Sequence, residues 1–111
     1  MADTPLLWVG SALDDVRRFP ELARRAAGYQ LRRVQLGLMP DDWKPMASVG
    51  AGVYEIRLHT GTEHRVFYVA KFEEGIYVLH AFEKRTRQTR IVGINVAKAR
   101  LAEVLRQRRA R

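Results

Sequence analysis

The side chains best suited to chemistry are cations on or beside what reads as β-structure. They are Arg57 and His59 in "VYEIRLH", Arg65 in "HRVFYVAKF", and Lys84 and Arg85 at the end of "IYVLHAFEKR". Neighbouring strands lie about 4.8 Å apart, so side chains in register on one face form a single small patch. Like charges in such a patch repel unless an anion belongs between them. A guanidinium has planar donors that match phosphate oxygens, and it can stabilise the charge that develops during phosphoryl transfer. Arginine stays protonated, so attack of an RNA 2′-hydroxyl on its phosphate needs another group to take the proton. His59 is the first candidate, with Glu55, His80 and Lys84 as alternatives. His80 lies within an apolar run and also reads as a core histidine, and Glu55 also reads as an ion-pair partner of Arg57 or Lys84.

Register decides whether these residues meet. If Arg57 faces Arg65, His59 faces Glu63 across the loop Thr60 to Thr62, with Gly61 free to turn left-handed. If His59 faces His64 instead, Arg65 points to the other side. Arg85 joins the same face only if the second hairpin keeps the same kind of even register.

The elements that must position these residues follow from pattern. "PLLWVG" (Pro5 to Gly10) reads as a first strand. Ser11 and Asp14 resemble a capping box that opens a short helix, and Pro20 with Glu21 begins a second helix running toward Gly37. That helix carries two apolar stripes, Leu22/Ala26/Tyr29/Leu36 and Ala27/Leu31/Val34/Leu38. One stripe is expected to meet the sheet, and the other a neighbouring helix or, less simply, a bound protein. "MPDDWKPMASVGAG" (Met39 to Gly52) reads as a loop, and its Trp43 is a candidate for stacking on a base. "VYEIRLH" alternates strictly, which predicts one core face and one wet face. With "HRVFYVAKF" and "IYVLHAF" it forms a three-strand antiparallel meander, because the connections are too short for parallel crossovers. Ile91 to Arg109 reads as a basic amphipathic helix with Lys98 on its polar side, and Arg87 and Arg90 precede it as general RNA-binding or solvated cations. The order strand, helix, helix, three strands, helix predicts an α+β fold: a small antiparallel sheet with helices packed on it.

Composition sets the outer limits. A chain of 111 residues, 47% hydrophobic and 29% charged, predicts a single globular domain spanning 1–111. No run is long and apolar enough to span a bilayer, and no export signal is legible at the start, so a cytoplasmic protein without a membrane partner is expected. The absence of cysteine excludes disulfides, thiol catalysis and thiolate metal sites, and the three histidines make no zinc pattern, so neither a metal nor a cofactor is expected. GxSxG, P-loop and GxGxxG motifs are all missing. Net charge is +8, and it is lopsided: residues 1–55 hold seven basic and seven acidic side chains, residues 56–111 thirteen and five. Such a field suits a polyanion, most simply nucleic acid.

The stretch "GVYEIRLHTGTEHRVFYVAKFEEGIYVLHAFEKRTRQT" resembles the sheet of the RelE/HigB toxin superfamily, in particular its phage-derived branch. There a VYElR-type strand is followed by yRvfY and then by an LhgFxKKT signature. The resemblance covers about a third of the chain. It implies a RelE-like fold and a toxin of a type II toxin–antitoxin pair that cleaves mRNA, commonly on the ribosome, and is silenced by an antitoxin protein encoded nearby. By the same resemblance Arg57, Arg65, Lys84 and Arg85 hold the scissile phosphate. Glu55 stands where RelE has a lysine, and Ile91 lies near the place of a RelE tyrosine. Two other classes fit the charge: a ParE-like toxin acting on DNA gyrase, and a nucleic-acid-binding module that cuts nothing.

Overall fold

The computed structural model describes residues 3–111. Along the chain run β1 (Leu6–Trp8), α1 (Ala12–Arg17), α2 (Glu21–Gln35), β2 (Trp43–Pro45), β3 (Val53–His59), β4 (Glu63–Phe72), β5 (Gly75–Glu83) and α3 (Arg87–Arg109). The five strands form one sheet in the order β1-β5-β4-β3-β2. The β3–β4–β5 meander is antiparallel, as the short connections require. The sheet as a whole is mixed, because β1 adds to β5 in parallel with Leu6 opposite Ile76. Local turn chemistry says nothing about a strand that pairs with a partner so far along the chain. A second correction concerns the expected loop: Trp43 to Pro45 form an edge strand on β3, and Pro45, which lacks an N–H, is tolerated there because one side of the strand is unpaired.

Helices cover both faces of the sheet. Ala23, Ala27, Leu31 and Val34 of α2 and Ala12 and Val16 of α1 pack against Ile56, Leu58, Val66, Tyr68, Ile76 and Val78. Ala97, Leu101 and Val104 of α3 pack on the opposite side, against Val53, Phe67, Val69, Tyr77 and Leu79. Of the two stripes on α2, the second is therefore buried through Ala27, Leu31 and Val34, with Leu38 exposed at its end, and of the first only Ala26 packs on the core. Leu22, Tyr29 and Leu36 stay exposed. Among the described residues, no helix is long and apolar enough to cross a membrane.

The helix ends differ in how they are held. At α1 the expected capping box does not form: the Ser11 hydroxyl donates to Asp15 instead, at 2.8 Å. α2 stops at a glycine-dependent motif, in which Gly37 (φ 81°) donates to the Val34 carbonyl and Leu38 to that of Arg33. α3 starts earlier than expected, at Arg87, because the Thr86 hydroxyl accepts the Thr89 N–H at 3.1 Å and caps the first turn. One turn further on, Gly93 lies against Phe82, where a Cβ would stand 2.7 Å from the ring. That close approach seats the start of α3 on β5, from where the Arg90 side chain reaches Glu55 of β3.

Between β4 and β5 the register shifts: Phe67 faces His80, whereas Tyr68 faces Val78, leaving Leu79 as an extra residue. The Leu79 carbonyl accepts a hydrogen bond from Arg100 of α3 at 2.8 Å, so the bulge is tied to the helix that covers it.

Candidate functional site

The β3–β4 hairpin adopts the register that brings the cations together. Its loop closes with the Thr60 N–H donating to Thr62 O at 3.1 Å, and Gly61 takes φ 93°. Arg57 therefore faces Arg65 and His59 faces Glu63, all on the sheet face that α3 covers. Next to them on the same face is Glu55, opposite Phe67.

Glu55 is the centre of the arrangement. The alternation of β3 suggested that this face is wet, yet Glu55 is 0% exposed because α3 lies over it. Arg90, on the first turn of α3, donates through Nη1 to Glu55 Oε2 at 2.6 Å. Arg57 Nε stands 3.7 Å and Arg65 Nε 3.9 Å from Glu55 Oε1. Burying a carboxylate is costly unless it is paired, and three guanidinia from three elements supply the pairing. Arg65 is itself enclosed, donating to the His64 carbonyl at 3.0 Å and standing 3.1 Å from Glu63. Arg57 keeps a side chain 36% exposed, so it is the member of the group that a solute can reach.

His59 is clamped between two carboxylates. Its Nδ1 is 2.7 Å from Glu63 Oε2 and its Nε2 is 2.6 Å from Asp42 Oδ2. Only the imidazolium can donate from both nitrogens at once. Asp42, and after it Glu63, accordingly raise the His59 pKa, and His59 lowers that of Glu63. His59, the first candidate for a base, thus sits between two acceptors that favour its charged form.

The other expected residues separate. Next to the site, β5 pairs Phe82 with Arg65 and Glu83 with His64, which puts Phe82 on the arginine face and Glu83 on the other. This is the odd register, so Arg85 does not join the cluster. It is 76% exposed and bonded to Glu83 at 2.7 Å. Lys84 extends the ladder by one bond, its N–H donating to Glu63 O at 2.7 Å, and is half-buried at the rim. Trp43 lies on the opposite face, edge-on to Tyr54 at 5.2 Å, and so is not beside the cations. Arg87 is exposed at the start of α3. Arg90, expected as a general surface cation, is turned inward to Glu55. Lys98 is about 12 Å further along the helix axis than Arg90. It borders a cleft of about 280 Å³ with Lys71 and Leu101. His80 is partly buried and stacked on Phe82 at 5.4 Å, and burial, then Arg100, lowers its pKa. It sits in the packing, away from the cluster.

Sequence reasoning missed Asp42, the inward turn of Arg90 and the central place of Glu55. An acidic residue alternating with apolar ones on a strand flanked by arginines was the available signal for Glu55. Asp42 had none, since it meets His59 only once β2 has paired with β3. Among the described residues, no group of three or more His, Asp or Glu is arranged to hold a metal ion.

The family model described as phage derived protein Gp49-like (DUF891) matches residues 14–102. No curated protein and no solved structure matches the chain. The matched span runs from α1 into α3 and contains every residue of the arginine cluster. This chain is a member of the phage-derived Gp49-like family.

Proposed function

We propose that the chain is the toxin of a type II toxin–antitoxin pair, in the RelE/HigB manner, and that it cuts mRNA without a metal at the face formed by β3, β4 and the start of α3. The observation that carries this reading is Arg57 facing Arg65 on one sheet face, with Arg57 accessible and its charge directed by the groups behind it. Membership of the Gp49-like family, which is linked to toxins of such pairs, supports the same reading. In this mechanism Arg57 binds the non-bridging oxygens of the scissile phosphate, with Lys84 at the rim. The 2′-oxygen attacks phosphorus, a 2′-O–P bond forms and the P–O5′ bond breaks, leaving a 2′,3′-cyclic phosphate and a 5′-hydroxyl. The 2′-hydroxyl proton passes to water, and His59, about 7 Å along the strand from Arg57, returns one to the 5′-oxygen when one of its ring N–H groups exchanges its carboxylate acceptor for that oxygen. The partners are mRNA, at the ribosome, and a small antitoxin protein encoded beside the toxin.

The test is expression in bacteria with transcript mapping, joined to cleavage of single-stranded and ribosome-bound RNA by the purified chain. Arg57→Ala is expected to abolish growth arrest and to slow cleavage by about 100-fold, the scale of losing one transition-state donor, while the melting temperature stays near that of the wild type. Growth arrest with intact transcripts and impaired gyrase supercoiling would replace this reading with the ParE-like one. Unchanged cleavage by Arg57→Ala would remove the site from the proposal.

A further inference from the structure

We infer that Glu55 is a positioning residue: its buried carboxylate holds Arg57, Arg65 and Arg90 in the arrangement that receives the RNA phosphate. The kinetic half of this inference rests on the RNA-cleaving reading; the geometric half does not.

Two features set Glu55 apart from an ordinary ion-pair partner. The first is that only one of its three arginine contacts is a hydrogen bond, the 2.6 Å bond from Arg90. Arg57 and Arg65 are held at 3.7 and 3.9 Å, by charge attraction without donation. Glu55 Oε1, Arg57 Nε and Arg65 Nε are all buried and none has a hydrogen-bond partner. Attraction at that distance fixes where the Arg57 guanidinium lies and leaves its donors uncommitted. The second feature is how the surroundings divide the work. Arg65 is enclosed by the His64 carbonyl and Glu63, and Arg90 is bound to Glu55, so neither guanidinium is as available to a phosphate as that of Arg57. Glu55 therefore organises one accessible cation with two enclosed ones behind it.

The arrangement has an unusual consequence. A carboxylate close to an anion site weakens anion binding, but this one also orders the cation that stabilises the transition state. Removing its charge while keeping its shape pulls the two effects apart. In Glu55→Gln, RNA should bind as tightly as to the wild type or several-fold more tightly, while kcat falls by about 10- to 100-fold, the range for misplaced catalytic groups. A purely structural role would lower the folded fraction and reduce binding and turnover together.

The experiment measures binding of a labelled single-stranded RNA oligonucleotide, single-turnover cleavage of the same RNA, and the arginine Nε–Hε NMR signals of the free protein. In Glu55→Gln the signals of Arg57, Arg65 and Arg90 should shift and broaden, and kcat should fall without a matching loss of affinity. Arg90→Gln, at a side chain already partly open to solvent, is the second variant and serves if Glu55→Gln does not fold. It should perturb the Arg57 signal and slow cleavage, but weaken RNA binding far less than Arg57→Gln does. Unchanged arginine signals in either variant would overturn the role of Glu55, as would Arg90→Gln weakening RNA binding as much as Arg57→Gln. A wild-type chain that cuts no RNA, with arginine signals still collapsing in Glu55→Gln, would overturn the proposed function and leave Glu55 as organiser of the cluster.

Discussion

Glu55 and Ile56 are neighbours on β3, both 0% exposed, and they look into opposite worlds. Ile56 sits in an aliphatic and aromatic cluster with Leu31 and Val34 of α2. Glu55 sits under α3, among arginines from β3, β4 and the helix itself. On the α2 side His64 is closed off by the Phe19 ring, at 4.3 Å, and its pKa is lowered chiefly by burial. On the α3 side apolar packing holds only one half, where Phe67, Leu79 and Leu101 meet, and ion pairing closes the other half. A sheet face can be shut by charge when the covering helix brings the counter-ion. Both faces bury apolar clusters, and the charged half of the α3 side is where a bound anion can change something.

Exchanging each of these neighbours for alanine gives the sharpest contrast. Ile56→Ala should cost about 2–5 kcal/mol by cavity formation, with cleavage retained by whatever remains folded. Glu55→Ala should cost about 3–5 kcal/mol, because it leaves buried guanidinia without their counter-charge, and cleavage should be lost even below the melting temperature. Denaturant melts paired with RNA cleavage at low temperature check both. If Ile56→Ala loses activity in step with Glu55→Ala, the two faces do not divide the work. Arg57→Ala comes next in size: a stability change of about 0–1 kcal/mol for a partly exposed ion pair, beside the roughly 100-fold loss of cleavage expected of a transition-state donor.

A subtler contrast lies in pH. His59 has a folded pKa raised by Asp42 and Glu63, so its charge stabilises the fold in full below the unfolded value of 6.5, and the contribution is lost as pH rises through the folded value. Asp42→Asn removes the largest cause of that shift. The wild type should therefore melt higher than Asp42→Asn at mildly acidic pH, and the gap should narrow as pH rises past the folded pKa of His59. The alkaline limb of the cleavage profile should move to lower pH in the variant, since His59 gives up its proton sooner. A melting gap that widens with pH would show that the clamp does not hold an imidazolium. Glu74 offers a control far from the site: Arg108, then Tyr77, lower its pKa to about 2, so its contribution is full above 4.5 and is lost progressively as pH falls from there through about 2.

The meander was legible from its short connections, whereas the Arg57–Arg65 pairing was one of two registers open to the sequence, and the three-residue loop centred on Gly61 is the one the hairpin adopts. The second hairpin was not legible in the same way: its turn pairs Phe72 with Gly75, already the odd register, and the two shifts that follow, between Phe72 and Val69 and at Leu79, cancel before Arg65 meets Phe82, while neither leaves a mark in an apolar run. That is why Arg85 falls outside the cluster. β1 read as a strand, but its parallel pairing with the distant β5 is not encoded locally, and the short edge strand β2, although it pairs with the next strand, is hidden among prolines and acids that read as a loop. Glu55 read as half of a wet face because strand alternation reports which residues share a side and not what later covers it. Only the helix, starting a turn earlier than its apolar periodicity suggested, turns that side into an interior.

The smallest effect expected separates the two cations at the start of α3. Arg90 is tied to Glu55, whereas Arg87 is exposed, and the first turn of this helix contains no acid. A free cation at a helix N-terminus opposes the macrodipole, so Arg87→Ala should stabilise the fold by about 0.3–1 kcal/mol. If Arg87 also touches RNA, the same change should reduce the slope of log affinity against log salt by about 0.7, the value of one phosphate contact on a single strand. Thermal melts and binding titrations at several salt concentrations read the two effects separately. A higher melting temperature with a shallower salt slope would place Arg87 on the binding surface at a cost in stability, as expected of the charged face. A higher melting temperature with an unchanged slope would confine RNA contacts to the sheet and leave Arg87 a solvated side chain.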